Sequence, residues 1–151
     1  MKLFVGWYSA MTSFDSRKAS SFIEKNEGRE YKYYKDTLGN LTIGVGFNLE
    51  EGLSDDEIDF ILSSRIQEHY DDLHVMVAEF KHLCFARKLV LIDMSYNMGI
   101  HKLLQFENML DAIRDKDWQK AAGELLDSRY ASQVGRRADR NADILRSGEL
   151  T

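Results

Sequence analysis

The spacing of apolar residues along the chain predicts a protein built mostly of helices. Residues 16–27 place apolar side chains on one helical face, and Gly28 follows, which is typical of a helix end. A longer helical repeat starts after residue 54 and continues to about residue 80. It fits either one helix or two helices broken near Tyr70. Four further helices are predicted, over residues 86–98, 103–114, 118–126 and 135–146. The first of these four is apolar almost all round, so we expect other helices to enclose it.

The helical pattern is interrupted once, by a segment that predicts a β-hairpin. Residues 31–35 form one predicted strand, residues 36–40 a turn, and residues 41–45 the returning strand. After the hairpin, Ser54 and Glu57 have the spacing of a capping box, in which a hydroxyl and a carboxylate satisfy backbone N–H groups at a helix start. The pattern therefore predicts an α+β fold that is mostly α.

Composition and charge describe a single globular domain. The chain has 151 residues, of which 44% are hydrophobic and 30% charged, which is typical of a soluble protein with a core of its own. We therefore expect one domain over residues 16–151, preceded by an extension over residues 1–15. The net charge of −5 argues against nucleic acid as the main partner.

The rarer side chains suggest core packing more than chemistry. Cys84, the single cysteine, excludes an intramolecular disulfide and is expected to be a small buried residue. Trp118 has apolar neighbours at helical spacing, so we expect it in the core and not as a platform for a sugar. The four histidines have no metal-ligand spacing with the cysteine, so we predict no metal site and no cofactor.

The first thirteen residues have two interpretations. An apolar run over residues 3–8 follows Lys2 and faintly resembles a secretory signal, although no small-residue cleavage site follows it. The run is also too short to span a membrane. The alternative is an extension that packs on the domain through Phe4 and Trp7.

Two carboxyl groups and one hydroxyl within sixteen residues are candidates for chemistry. Glu27 is placed on the last turn of a helix, where the carbonyl end disfavours negative charge, and partial burial would act in the same direction. Asp36 is placed on a solvated turn and should remain ionised. Two carboxyl groups in such different environments are typical of a site that cleaves glycosidic bonds. Thr42 can point across the hairpin toward a water, and Gly44 and Gly46 leave the backbone open to a bulky ligand. Solvated surface acids are the alternative.

This segment resembles the active-site segment of the phage-type lysozymes, which are endolysins with muramidase activity. The residues that carry the resemblance are Glu27-Gly28, Tyr34-Lys35-Asp36-Thr37, Gly39 and Thr42-Ile43-Gly44-Val45-Gly46. In that family the acid, the second carboxylate and the threonine stand nine and six residues apart, as Glu27, Asp36 and Thr42 do here. Weaker similarity continues to about residue 148.

The resemblance implies a fold and an activity. The fold would be lysozyme-like, with a small hairpin lobe over about residues 28–52 and a helical lobe over about residues 80–148, joined by a long helix. The activity would be hydrolysis of β-1,4 bonds between N-acetylmuramic acid and N-acetylglucosamine in bacterial peptidoglycan, with an inverted product. Glu27 would be the general acid. Asp36 would stabilise positive charge on the sugar or activate a water that Thr42 holds.

The resemblance also suggests substrate-binding residues. Tyr96 matches an aromatic residue of the family's cleft and is expected to stack on sugar. Asn48 stands where an aliphatic residue is frequent, and Phe47 where a histidine is common, which leaves the subsite preferences open. Arg137 matches an arginine near the start of the last helix and would hold Glu27 by an ion pair. A solvated arginine on a helix face is the alternative.

The implied partner is bacterial peptidoglycan, without nucleic acid and without stable membrane insertion, and the protein is expected to be a monomer. The family further implies accumulation in the host cytoplasm and access to the wall through a separate pore-forming protein, followed by lysis of the host cell. Two other functions remain open. One is a lysozyme-like module that binds glycan or has a structural role without cutting, and the other is a lytic transglycosylase, which would leave anhydro ends.

Overall fold

The computed structural model of the protein describes residues 16–150, and the predicted extension over residues 1–15 lies outside the described residues. The described part contains eight α-helices and one three-stranded antiparallel sheet, so the predicted α+β, mostly α fold is confirmed. In chain order the elements are α1 Ser16–Glu27, β1 Glu30–Lys35, β2 Leu41–Gly44, β3 Phe47–Asn48, α2 Asp55–Met76, α3 Phe85–Met98, α4 Ile100–Leu103, α5 Glu107–Arg114, α6 Trp118–Leu126, α7 Arg129–Val134 and α8 Arg136–Ser147.

The chain divides into two compact units, and the boundary lies inside α2, between Glu57 and Ile58. The first unit contains α1 and the sheet. The second unit contains the rest of α2 and the helices α3 to α8. The predicted hairpin lobe therefore falls in the first unit and the predicted helical lobe in the second.

The sheet has the strand order β1-β2-β3, and both pairs are antiparallel. Tyr34 on β1 faces Thr42 on β2, and Thr42 in turn faces Asn48 on β3. The predicted hairpin is confirmed. The third strand was not predicted, because two residues are too few to leave an alternating pattern in the sequence.

One uninterrupted helix of 22 residues forms α2, which decides between the two alternatives left open by the sequence. The capping box at its start is confirmed. The backbone N–H and the hydroxyl of Ser54 donate to the Glu57 carboxylate over 2.8 and 2.7 Å, and the Glu57 N–H donates back to the Ser54 hydroxyl over 3.4 Å.

Two features of the second unit correct the sequence prediction. The helix predicted over residues 103–114 begins only at Glu107, as α5, because Leu103 ends the separate helix α4 and Phe106 leaves the helical conformation with ψ 52°. The apolar spacing hid this break, since Phe106 still packs against the core. The short helix α7 was missed, although Ser128 caps it by accepting a hydrogen bond from the Ala131 N–H over 3.1 Å. A serine before a helix is the signal that could have found it.

The core lies in the second unit. Among the described residues, every buried apolar side chain falls between Leu73 and Leu145. Val90, Leu91 and Met94 of α3 are buried with at most 1% of their surface exposed, which confirms that other helices enclose α3.

The predicted core packing was wrong for one of two side chains, Cys84, and right for the other, Trp118. Cys84 is exposed, so its predicted burial is wrong. The residue precedes the first turn of α3, and its sulfur lies 3.5 Å from the carbonyl oxygen of Gly148, near the end of α8. Trp118 packs against the core, as predicted, and the guanidinium carbon of Arg87 lies 3.7 Å from the centre of its ring.

Candidate active site

Glu27 is the last residue of α1. Gly28 ends the helix as predicted, with φ 78° and its N–H donating to the Glu24 carbonyl over 2.8 Å. The side chain of Glu27 is exposed, contrary to the partial burial considered from the sequence.

The carboxylate of Glu27 lies against the turn that joins β2 to β3. A Cβ placed on Gly46 would be 3.1 Å from Oε2 of Glu27, and Gly46 also has φ 84°. A Cβ on Gly44 would be 2.8 Å from the ring of Phe47. On the side where a Cβ would point, side chains of the chain itself therefore lie against the two glycines, while Gly46 remains exposed, and contact of this backbone with a ligand stays a prediction.

The carboxylate of Asp36 is fixed by the turn that follows β1. Its Oδ1 accepts hydrogen bonds from the N–H groups of Leu38 and Asn40 over 2.9 and 2.8 Å, and its Oδ2 accepts one from the Asn40 side-chain amide over 3.0 Å. These bonds, the one from the Asn40 side chain foremost, hold the pKa of Asp36 below its usual range. The expectation that Asp36 is ionised agrees with this environment.

Thr42 is buried on β2, with 4% of its surface exposed. Its hydroxyl lies 3.2 Å from the carbonyl oxygen of Asn40. A carbonyl oxygen only accepts, so the Thr42 hydroxyl must be the donor in this contact. The Thr42 hydroxyl can therefore bind a water only by accepting a hydrogen bond through the lone pairs of its oxygen.

Asn40 joins Asp36 to Thr42, and the sequence analysis did not single it out. Its carbonyl accepts from the Asp36 N–H over 3.0 Å as well as from Thr42, while its N–H and its amide both donate to Asp36. The sequence offered a signal, because aspartate and asparagine within one turn commonly hydrogen-bond to nearby backbone groups.

Asn48 has a structural role in the first unit. It is half-buried on β3, and its Oδ1 accepts from the Glu50 N–H over 3.0 Å, which caps the short 3₁₀ turn Leu49–Glu51. Its contact with substrate stays a prediction.

Tyr96 lies in the second unit, with 45% of its surface exposed. Its ring centre is 5.5 Å from that of His69, whose Nδ1 is 2.8 Å from the hydroxyl of the buried Ser95. The contact with Ser95 therefore fixes His69, which lies beside the half-exposed Tyr96 ring. Stacking of sugar on Tyr96 stays a prediction.

Arg137 forms a two-pronged ion pair with Asp93, over 2.9 Å from Nε and 2.6 Å from Nη2. The amide of Asn141 donates to the same carboxylate over 2.8 Å. Burial raises the pKa of Asp93, but the hydrogen bonds from Arg137 and Asn141 outweigh it and leave that pKa lowered. The ion pair with Glu27 expected for Arg137 would join the two units, and it stays a prediction.

No group of three or more His, Cys, Asp or Glu side chains in residues 16–150 is placed to hold a metal ion. Within the same residues, no helix is long and apolar enough to cross a membrane.

Comparison with known proteins identifies the family. The phage lysozyme family model matches residues 24–141, so the chain belongs to the phage lysozyme family. The match includes all six candidate site residues. The lysozyme-like fold expected from the sequence agrees with this assignment.

Curated relatives agree with the family. The chain is 27% identical to probable T4-type lysozyme 1 and 24% identical to probable T4-type lysozyme 2, both of Dictyostelium discoideum. Each alignment covers 85% of this chain and 93% of the relative. The chain is also 26% identical to the pre-baseplate central spike protein Gp5 of Enterobacteria phage T4, over 87% of this chain and 28% of that protein.

Proposed function

We propose that the protein is a glycoside hydrolase that cleaves the β-1,4 bond between N-acetylmuramic acid and N-acetylglucosamine in bacterial peptidoglycan. One observation carries this proposal. Thr42 lies on β2, the strand that connects the turn holding Asp36 to the turn in contact with Glu27. The link that β2 forms between Asp36, Thr42 and the turn next to Glu27 supports a joint role for the three groups.

The proposed reaction uses each group once. Glu27 gives its proton to the glycosidic oxygen while the bond from that oxygen to the sugar carbon breaks. A water held by Thr42 attacks the same carbon from the opposite face and loses a proton to the ionised Asp36. The product is a reducing end of inverted configuration. This geometry requires roughly 6.5–9.5 Å between the two carboxyl groups, which leaves room for the water.

The experiment is product analysis of purified peptidoglycan digested with the protein. Hydrolysis gives reducing ends that contain one added water, and proton NMR during the first turnovers should show the inverted anomer. Glu27→Gln should release no products, while Glu30→Gln, an equal change of an exposed glutamate in β1, should retain activity. Equal release by wild type and Glu27→Gln would remove Glu27 from the mechanism.

The same digest distinguishes the two other functions. Anhydro ends would indicate a lytic transglycosylase. Binding of peptidoglycan without release of any soluble product would indicate a module that binds glycan without cleaving it. The similarity to Gp5, a protein named for its place in a phage spike, favours keeping that candidate.

A further inference from the structure

The residue that organises the Asp36 turn is Asn40, and all four of its hydrogen bonds go to the two groups proposed to act on water. Its N–H and its side-chain amide donate to the two carboxylate oxygens of Asp36. Its carbonyl accepts from the N–H of Asp36 and from the hydroxyl of Thr42.

These bonds decide which lone pairs remain available. Oδ1 of Asp36 already accepts two N–H groups, whereas Oδ2 accepts the Asn40 amide and, with two lone pairs, keeps an acceptor position for a water. Thr42 has a single hydroxyl proton, and the Asn40 carbonyl receives it. Toward a water, both Asp36 and Thr42 can therefore act only as acceptors.

We propose that Asn40 is a positioning residue that makes Asp36 and Thr42 accept both protons of one water. This inference deepens the proposed hydrolysis and depends on it. A water that donates one proton to Asp36 Oδ2 and one to Thr42 directs a lone pair of its oxygen away from both, toward the sugar carbon. As the new bond between the water oxygen and the sugar carbon forms, the water proton that is hydrogen-bonded to Asp36 passes to that carboxylate. The water proton that is hydrogen-bonded to Thr42 stays on the hydroxyl of the product.

Two substitutions separate this role from simple filling of space. Asn40→Ala removes the amide donor and keeps the backbone contacts. Asn40→Asp keeps the shape almost unchanged but replaces the donor with an acceptor that repels Asp36. We expect kcat to fall about ten-fold in Asn40→Ala, the loss typical of one charge-assisted hydrogen bond, with little change in KM. The fall should be at least as large in Asn40→Asp. If Asn40 only fills space, Asn40→Asp would be the more active of the two.

The pH dependence gives a second readout. Both variants should move the acidic limb of the kcat/KM profile to higher pH, because Asp36 loses the donor that favours its ionised form. Asn108→Ala is a matched control, since Asn108 also donates its amide to a carboxylate, that of Glu124 over 3.3 Å, but on the surface of the second unit. Its profile should follow that of the wild type.

The titration of Asp36 can be measured in the absence of substrate, so it tests the role of Asn40 in active and inactive variants alike. Carbon-13 NMR of the Asp36 carboxyl group should show its titration at higher pH in Asn40→Ala, and higher still in Asn40→Asp. An unchanged titration of Asp36 would overturn the role of Asn40, even in an active enzyme. Absence of any product from the wild type, with the expected titration, would instead overturn the proposed hydrolysis. Thermal unfolding of each variant checks that the fold is retained.

Discussion

Oε2 of Glu27 lies 3.1 Å from the position that a Cβ on Gly46 would occupy. The turn between β2 and β3 thus limits where the Glu27 carboxyl can go, although Glu27 belongs to α1. The lack of a side chain at Gly46 allows this approach, and its φ of 84° independently favours glycine.

Gly46→Ala should therefore reduce activity by displacing Glu27. Glycine at other positions offers the control. Gly52 has φ 73° and no atom within 4 Å of an added Cβ, so Gly52→Ala strains the backbone without creating a contact. Both variants should lose about 1–3 kcal/mol of unfolding free energy, because a side chain is disfavoured at these positive φ angles. Only Gly46→Ala should lower kcat on peptidoglycan, by about ten-fold or more if the acid is misplaced. Similar kcat values in the two variants would show that the contact has no part in catalysis.

Replacement of Thr42 tests whether its hydroxyl, and not its volume, is needed. Thr42→Val removes the hydroxyl and keeps the shape of this buried side chain, so we expect peptidoglycan hydrolysis to fall about 10- to 100-fold, as for one or two lost hydrogen bonds. Thr42→Ser retains the hydroxyl and should lose only a few-fold. Comparable losses in both variants, measured as initial rates, would point to packing in place of water binding.

The ion pair of Asp93 with Arg137 should make stability depend on pH. The pKa of Asp93 is lowered in the folded protein, so its contribution is present above the ordinary aspartate range and is lost as pH falls through the lowered value. Asp93→Asn should cost about 1–3 kcal/mol of unfolding free energy at neutral pH, measured by urea denaturation. The difference from the wild type should shrink in acid.

A surface ion pair provides the control for Asp93→Asn. Asp143 pairs with Arg146 over 2.9 Å while 61% of its side chain remains exposed. Asp143→Asn should therefore change the unfolding free energy by less than about 1 kcal/mol at neutral pH. A cost as large as that of Asp93→Asn would mean that partial burial of the Asp93 pair does not strengthen it.

Arg87 should stabilise the end of α8 through its planar guanidinium. The group donates to the carbonyl oxygens of Leu145 and Arg146 over 2.9 and 3.3 Å and covers the ring of Trp118. Arg87→Lys keeps the charge but cannot make these contacts together, so we expect a loss of about 1–2 kcal/mol in thermal unfolding. Arg65→Lys alters an exposed pair with Glu68 on α2 and should have almost no effect.

The parts of the structure that could be predicted from sequence depend on short-range chemistry. Gly28 ends α1 because a left-handed residue suits that position, and Ser54 starts α2 through a bond to a residue three places on. The spacing of Glu27, Asp36 and Thr42 likewise carried the family resemblance. Each of these features is complete within a few turns of chain, so the sequence displays it directly.

The features that the sequence analysis missed depend on geometry that only the folded chain supplies. Arg137 forms an ion pair with Asp93, which is 44 residues earlier in the sequence. Nothing in the spacing of apolar positions marks the two residues as partners. Asn40 was passed over because its importance comes from four simultaneous bonds, whereas its residue type alone suggests only a turn. Cys84 appeared apolar by its neighbours, yet its place just before α3 exposes it.

The location of the core in the second unit has a consequence for the local stability of the proposed site. Among the described residues of the first unit, Thr42 is the only one that is buried, so hydrogen bonds in turns hold the proposed site in place of enclosed apolar packing. Segments of this kind open by local fluctuation at a lower free energy than the interior helices. Amide protons of β2 would then exchange with solvent sooner than those of α3. On warming, the proposed activity would be lost before the interior helices of the second unit unfold.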